Sequence, residues 1–135
     1  MDDEIFSIRK DKERARDLYY MAKDRLEIIK LLPREKAYKL IEEYYEIMKE
    51  LLTAIMYTDG FKTLSHVKLI EYFSENYKCL QDNEVQLIDT MRKYRNGIVY
   101  YGKKVSYDFL INYENKIIKI ITILLELIEK KLNDG

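Results

Sequence analysis

Apolar residues recur along this chain at three- and four-residue steps broken by short polar stretches, a rhythm that predicts helices along almost its whole length. Leu18, Met21, Ala22, Leu26 and Ile29 form the stripe of a first helix drawn from about Ile5 to Leu32 and ended by Pro33. Pro33 is also suited to open a second helix, whose apolar positions are Ala37, Leu40, Ile41, Tyr44, Met48, Leu51, Leu52 and Ile55. Thr58-Asp59-Gly60 stops it. A short third helix starts near Ser65, a good N-cap, and turns inward His66 or Val67 together with Leu69, Ile70 and Phe73. The polar segment from Ser74 to Asn83 is the most loop-like part of the chain. Asn83, followed three residues later by Gln86, resembles a capping box and introduces a fourth helix with Leu87, Met91, Tyr94, Ile98 and Tyr101 along one seam. Gly102 then supplies a left-handed stop, and Ser106 caps a fifth helix carrying Leu110, Tyr113, Ile117, Ile120, Ile121, Leu124, Ile128 and Leu132.

Five helices with short connections describe an all-α antiparallel bundle, and 135 residues suit a single domain spanning 1–135. The apolar face of the fifth helix is wide enough to be core against two neighbours or to meet a further partner, and periodicity does not separate the two. Composition agrees with helix: four glycines and one proline leave little turn chemistry for a sheet-rich fold. Lysine plus arginine equals aspartate plus glutamate at 24 each, so attraction to nucleic acid has to come from a local patch. A lone cysteine, Cys79, excludes an internal disulfide and a cysteine-built metal site, and is expected to fill apolar space. The acidic start Met1-Asp2-Asp3-Glu4 lacks the pattern of a targeting signal. The apolar run around Ile117 to Ile128 is interrupted by Lys119, Thr122 and Glu126, so no membrane association and cytosolic residence are the expectations.

One histidine, one cysteine and no glycine-rich loop remove the usual nucleophile pairs, zinc sites and phosphate loops. Glu42-Glu43 and the Glu46, Glu50 pair lie beside lysines and are expected on solvent faces. His66, on the first turn of the third helix, is expected to pack or cap and to stand apart from the chemistry. The informative stretch is Met91-Arg92-Lys93-Tyr94-Arg95-Asn96-Gly97-Ile98-Val99-Tyr100-Tyr101-Gly102. Arg92, Asn96 and Tyr100 are four apart and form one strip, with Arg95 at the border of the apolar seam. A guanidinium fork suits phosphate, an asparagine amide both donates and accepts, and Gly97 permits close approach. The competing reading is structural: Arg95 pairs with a carboxylate, Asn96 bonds a backbone group and the tyrosines pack. Arg95 and Tyr100 stand five apart, about 140° around an unbroken helix, so their convergence is expected to need a bent helix end or a second subunit.

The second-helix pattern Ala37-Tyr38-Lys39-Leu40-Ile41-Glu42, Tyr57-Thr58-Asp59-Gly60 leading to Ser65-His66-Val67-Lys68-Leu69-Ile70, and above all Arg95-Asn96 with Tyr100 resemble the HEPN superfamily over most of the chain. The resemblance implies a HEPN-like fold in which the motifs of two subunits meet at a homodimer interface. In ribonucleolytic relatives an arginine and a polar residue are followed by a histidine, and the ribose 2′-hydroxyl attacks its own phosphate without metal or other cofactor. Carried over, Arg95 would contact the phosphate, Asn96 would orient it, and Tyr100 stands where the histidine would be. A phenol is a far weaker base than an imidazole at neutral pH, so binding survives this replacement better than catalysis. The resulting expectation is a dimer that binds RNA or a nucleotide-like ligand through Arg92, Lys93, Arg95, Asn96, Tyr100 and Lys103, with weak or no ribonuclease activity. Two alternatives follow from the same resemblance. One is a non-catalytic partner, of toxin–antitoxin type, for a minimal nucleotidyltransferase, with Tyr100 or Tyr101 as modification target. The other is an active metal-independent endoribonuclease using Arg95, Asn96 and Tyr100.

Overall fold

A computed structural model describes residues 4–134, so Met1-Asp2-Asp3, on which most of the targeting-signal reading rests, lies outside the described residues. The chain runs β1 (Ile5–Ser7), α1 (Lys12–Ile29), α2 (Ala37–Asp59), β2 (Phe61–Thr63), α3 (His66–Asn76), α4 (Asp82–Tyr101) and α5 (Tyr107–Asn133). The helical bundle stands as expected, with a two-stranded antiparallel ribbon added at one edge. Ile5 pairs with Thr63, Phe6 with Lys62 and Ser7 with Phe61.

That ribbon corrects the start of the first helix, which begins at Lys12 and not near Ile5. Gly60 explains the change. In the left-handed conformation, φ 89°, it ends α2 and turns the chain back. Its carbonyl accepts from Ile8 N at 2.9 Å, and a side chain here would press on the Ile8 carbonyl oxygen. Asp11 then caps α1 by accepting from Arg14 N at 2.9 Å. At the other end α1 stops at Ile29, and Pro33 lies in the turn before α2 instead of opening it; Lys36 N bonds the Pro33 carbonyl.

α2 is the hub of the core, touching every other helix and β2. All eight apolar positions expected of it are buried, and so are Tyr45, Ile47, Ala54 and Met56. α1 is rotated from the expected stripe: Ala15, Tyr19, Ala22 and Ile29 are buried while Met21 is exposed. Tyr19 can face inward because its hydroxyl donates to Glu129 on α5 at 2.9 Å. Glu50 is likewise not on a solvent face. It is 7% exposed and accepts from Arg25 Nε at 2.8 Å, with Glu43 3.1 Å from the same guanidinium.

Ser65 caps α3 through Lys68 N as expected. α3 continues to Asn76, so the loop-like stretch is shorter than the polar run from Ser74 suggests, and Cys79 is exposed within it instead of filling the core. The N-terminal box of α4 sits two residues earlier than Asn83 and Gln86: Glu84, itself buried, accepts from Gln81 N at 2.8 Å. Gly102 ends α4 in the left-handed conformation and Ser106 caps α5. Tyr94 and Tyr113, expected on the inner seams, are partly exposed and Tyr101 is largely in solvent, whereas Leu87, Met91, Ile98, Leu110, Ile117, Ile120, Ile121, Leu124 and Ile128 are buried as expected. No helix among the described residues is long and apolar enough to cross a membrane.

Candidate functional site

The second half of α4 packs beside the start of α3, with α2 beneath both, and a shallow depression opens between them. It is lined by Leu64, Ser65, His66 and Val67 from the α3 entry and by Arg92, Arg95, Asn96 and Tyr100 from α4. Four of the residues singled out in the sequence therefore share one surface. Lys93 and Lys103 do not reach it. They line a neighbouring depression with Tyr94, Gly97 and Lys104. Gly97 serves that second surface: the Lys103 side chain lies 3.3 Å from where a Cβ would be, and Lys103 N bonds the Gly97 carbonyl at 3.1 Å. The room left by the missing side chain is taken by this chain's own lysine.

Met91 and Ile98 anchor α4 in the core, which fixes the azimuth of the polar strip between them. Arg92 is tied to its own helix, Nε donating to Asp89 Oδ1 at 2.8 Å, and Lys93 shares that carboxylate at 3.4 Å. Burial pushes the Asp89 carboxyl up, but the bonds and charges of Arg92 and Lys93 outweigh it and hold the group below the usual carboxylate range.

Arg95 converges with Tyr100 inside one chain, against the expectation from helical angle alone. Its Nη1 donates to Asn96 Oδ1 at 3.2 Å and stands 3.5 Å from Tyr100 Oη, and the guanidinium lies 5.7 Å from the Tyr100 ring centre. Side-chain length explains this: an arginine reaches well past one helical turn, and a helical tyrosine leans back toward the N-terminus. The carboxylate pairing named as the structural alternative is present in loose form. Arg95 Nη2 is 3.8 Å from Glu46 Oε1, while Glu46 holds Lys49 more closely at 2.7 Å. Among the described residues Arg95 thus keeps only long contacts, with its side chain 18% exposed.

The sequence reading kept His66 apart, yet the fold brings it to this cluster. Its Nδ1 lies 3.0 Å from the hydroxyl of Tyr45, a residue of α2 that is 1% exposed. Burial lowers the His66 pKa, and Lys49, Arg95 and Arg92 lower it further against the opposing pull of Glu46, which favours the neutral imidazole. Burial raises the Tyr45 pKa, with Arg92 and Arg95 opposing, and the phenol keeps its proton. Lys49, Arg92 and Arg95 gather here against Glu46 and Asp89, so a neutral chain carries a small local excess of positive charge. α3 also opens at this surface, adding the partial positive charge of a helix N-terminus.

Tyr45 and Lys49 went unremarked in the linear pattern, and Glu46 was placed on a solvent face, because all three belong to α2, far away in sequence. Tyr45 is buried on α2 beside Tyr44, and the hydroxyl of a buried tyrosine requires a polar partner. Among the described residues no group of histidines, cysteines and carboxylates is arranged to hold a metal ion. The arrangement can do one thing plainly: offer several hydrogen-bond donors and net positive charge to an anionic group, with an aromatic face on Tyr100 beside it. No family model matches the chain, and no significant match is found among curated proteins or solved structures.

Proposed function

We propose that the depression binds the phosphodiester backbone of RNA or a nucleotide-like ligand, in a dimeric protein of HEPN type with weak or no ribonuclease activity. The observation that carries this reading is the convergence of Arg92, Arg95, Asn96 and Tyr100 on one open, positively charged surface at the start of α3. Arg95 supplies a fork of donors whose present partners are long, so a phosphate competes well for them. Tyr100, 65% exposed, offers a ring on which a base stacks. Val99 and Tyr101 expose apolar surface on the same last turn of α4, which supports a second copy meeting the first alongside this cleft.

The test is binding of labelled single-stranded RNA by the wild type and by Arg95→Ala. Loss of a charge-assisted contact lowers affinity by about tenfold or more. Equal affinities would remove the site from consideration.

A second reading is favoured by Tyr101, which is 76% exposed at the end of α4. As the partner of a minimal nucleotidyltransferase, the protein would accept a nucleotide on this phenol or on Tyr100. Co-expression followed by intact mass measurement tests it, and an unchanged mass counts against it.

A further inference from the structure

The contact between Tyr45 and His66 determines what the imidazole can offer. A buried hydroxyl needs an acceptor for its hydrogen, and among the described residues the partner of the Tyr45 hydroxyl is His66 Nδ1. If Nδ1 carried the proton, it would donate to the phenol oxygen and strand the Tyr45 O–H in the core. The satisfied arrangement is the opposite one: Tyr45 donates to Nδ1, and the ring proton sits on Nε2. Nδ1 is taken up by Tyr45 on α2 while the residue lines the depression with Arg92, Arg95 and Asn96, so Nε2 is the ring nitrogen left to serve the depression.

We propose that His66 is a ligand-binding residue, presenting a fixed Nε2–H to a phosphodiester oxygen beside Arg95, and that Tyr45 is its positioning residue. The proposal rests on the phosphate-binding reading above and names a donor that the α4 motif does not contain. The groups around the ring come from both packed elements: Tyr45, Glu46 and Lys49 on α2, and Arg92 and Arg95 on α4. Three neighbouring cations disfavour an imidazolium, so His66 contributes direction without adding charge. An Nε2–H has no lone pair with which to take a proton from a nucleophile. The site is built to hold a phosphate and not to activate a hydroxyl, which matches a motif whose usual histidine position is occupied by Tyr100.

The experiment uses the full chain and a fluorescent oligouridylate of roughly ten nucleotides. His66→Leu keeps bulk and removes the donor; it is expected to weaken binding about tenfold. His66→Gln retains an acceptor for Tyr45 and a donor toward the ligand, and is expected to bind within about threefold of wild type. Nitrogen NMR of the imidazole reads the tautomer directly: protonation at Nε2 in the wild type, and a mixture of tautomers in Tyr45→Phe. Wild-type affinity in His66→Leu, or a ring protonated at Nδ1 in the wild type, overturns the proposal. Failure of the wild type itself to bind the oligonucleotide overturns the phosphate-binding reading instead. If Arg95→Ala weakens binding and His66→Leu does not, the cleft stands and His66 is excluded from it.

Discussion

Two polar clusters in this molecule use the same kinds of side chain to opposite ends. At the C-terminus of α2, Asp59 accepts from Tyr72 Oη at 2.8 Å, from Tyr77 Oη at 2.7 Å and from Lys131 Nζ at 2.7 Å, and Lys131 also donates to Tyr77 Oη at 2.6 Å. This network is closed: one carboxylate, two phenols and one ammonium satisfy one another and bind α5, α3 and the segment after α3 to the end of α2. At the cleft, Arg95 holds its partners at 3.2, 3.5 and 3.8 Å, and cations outnumber carboxylates. That network is open. Short reciprocal bonds mark a cluster that holds the fold; long contacts around Arg95 are what the proposed binding surface requires.

The largest effect is expected where the closed network is cut. Asp59→Ala leaves Tyr72, Tyr77 and Lys131 without their shared acceptor, and the unfolding free energy should fall by about 2–4 kcal/mol. That lies toward the lower end for a broken buried pair, because the carboxylate retains 20% exposure. Denaturant titration measures it. RNA affinity of the folded protein should stay within about twofold of wild type, because the charge removed is not part of the cleft; a large loss of affinity would erase the distinction between the clusters.

Next comes Tyr77→Phe, which removes one hydroxyl from the same network while Asp59 keeps Tyr72 and Lys131. A loss of about 1 kcal/mol is expected. The ratio of the two losses sharpens the comparison: a closed network loses far more with its centre than with one spoke.

Arg95→Ala reverses the pattern. Its ion pair with Glu46 is long and partly exposed, so stability should change by less than about 1 kcal/mol while RNA affinity falls about tenfold. A destabilisation matching that of Asp59→Ala would show that Arg95 belongs to the fold and not to a ligand.

The same contrast explains what could be read from the chain alone. Gly60, Gly102, Ser65 and Ser106 were legible because each acts on its own backbone within a few residues. The strip of Arg92, Asn96 and Tyr100 was legible for the same reason, being spaced along one helix, whereas the meeting of Arg95 with Tyr100 depends on side-chain reach and ran against the helical angle. β1 and β2 were not, since each three-residue strand exists only through the other, across more than fifty residues. Tyr19 was left out of the first stripe and Glu50 was placed on a solvent face, because their polar atoms are satisfied by Glu129 and Arg25 on other helices. His66 escaped for that reason too: nothing near it in sequence announces Tyr45 or Arg95.

The smallest expected effect isolates His66. Its folded pKa is below the ordinary histidine value of about 6.5, first through burial and then through Lys49, Arg95 and Arg92. As pH falls through that ordinary value the unfolded chain takes up a proton that the folded chain resists, so stability is full above it and declines toward the lower folded pKa. Asp89 and Glu114 are also depressed, but they are carboxylates, and their contribution is lost only at more acidic pH. Glu50 is shifted the other way by burial, and it titrates alike in any His66 variant, so it drops out of a difference. Between pH 7 and pH 5 the melting temperature of the wild type should therefore fall further than that of His66→Gln, by an amount on the order of a degree or two. Equal slopes would mean that the folded protein protonates His66 as readily as the unfolded chain does. An imidazole so easily charged could not be held neutral among three cations, and the open cluster would lose the imidazole that α3 contributes.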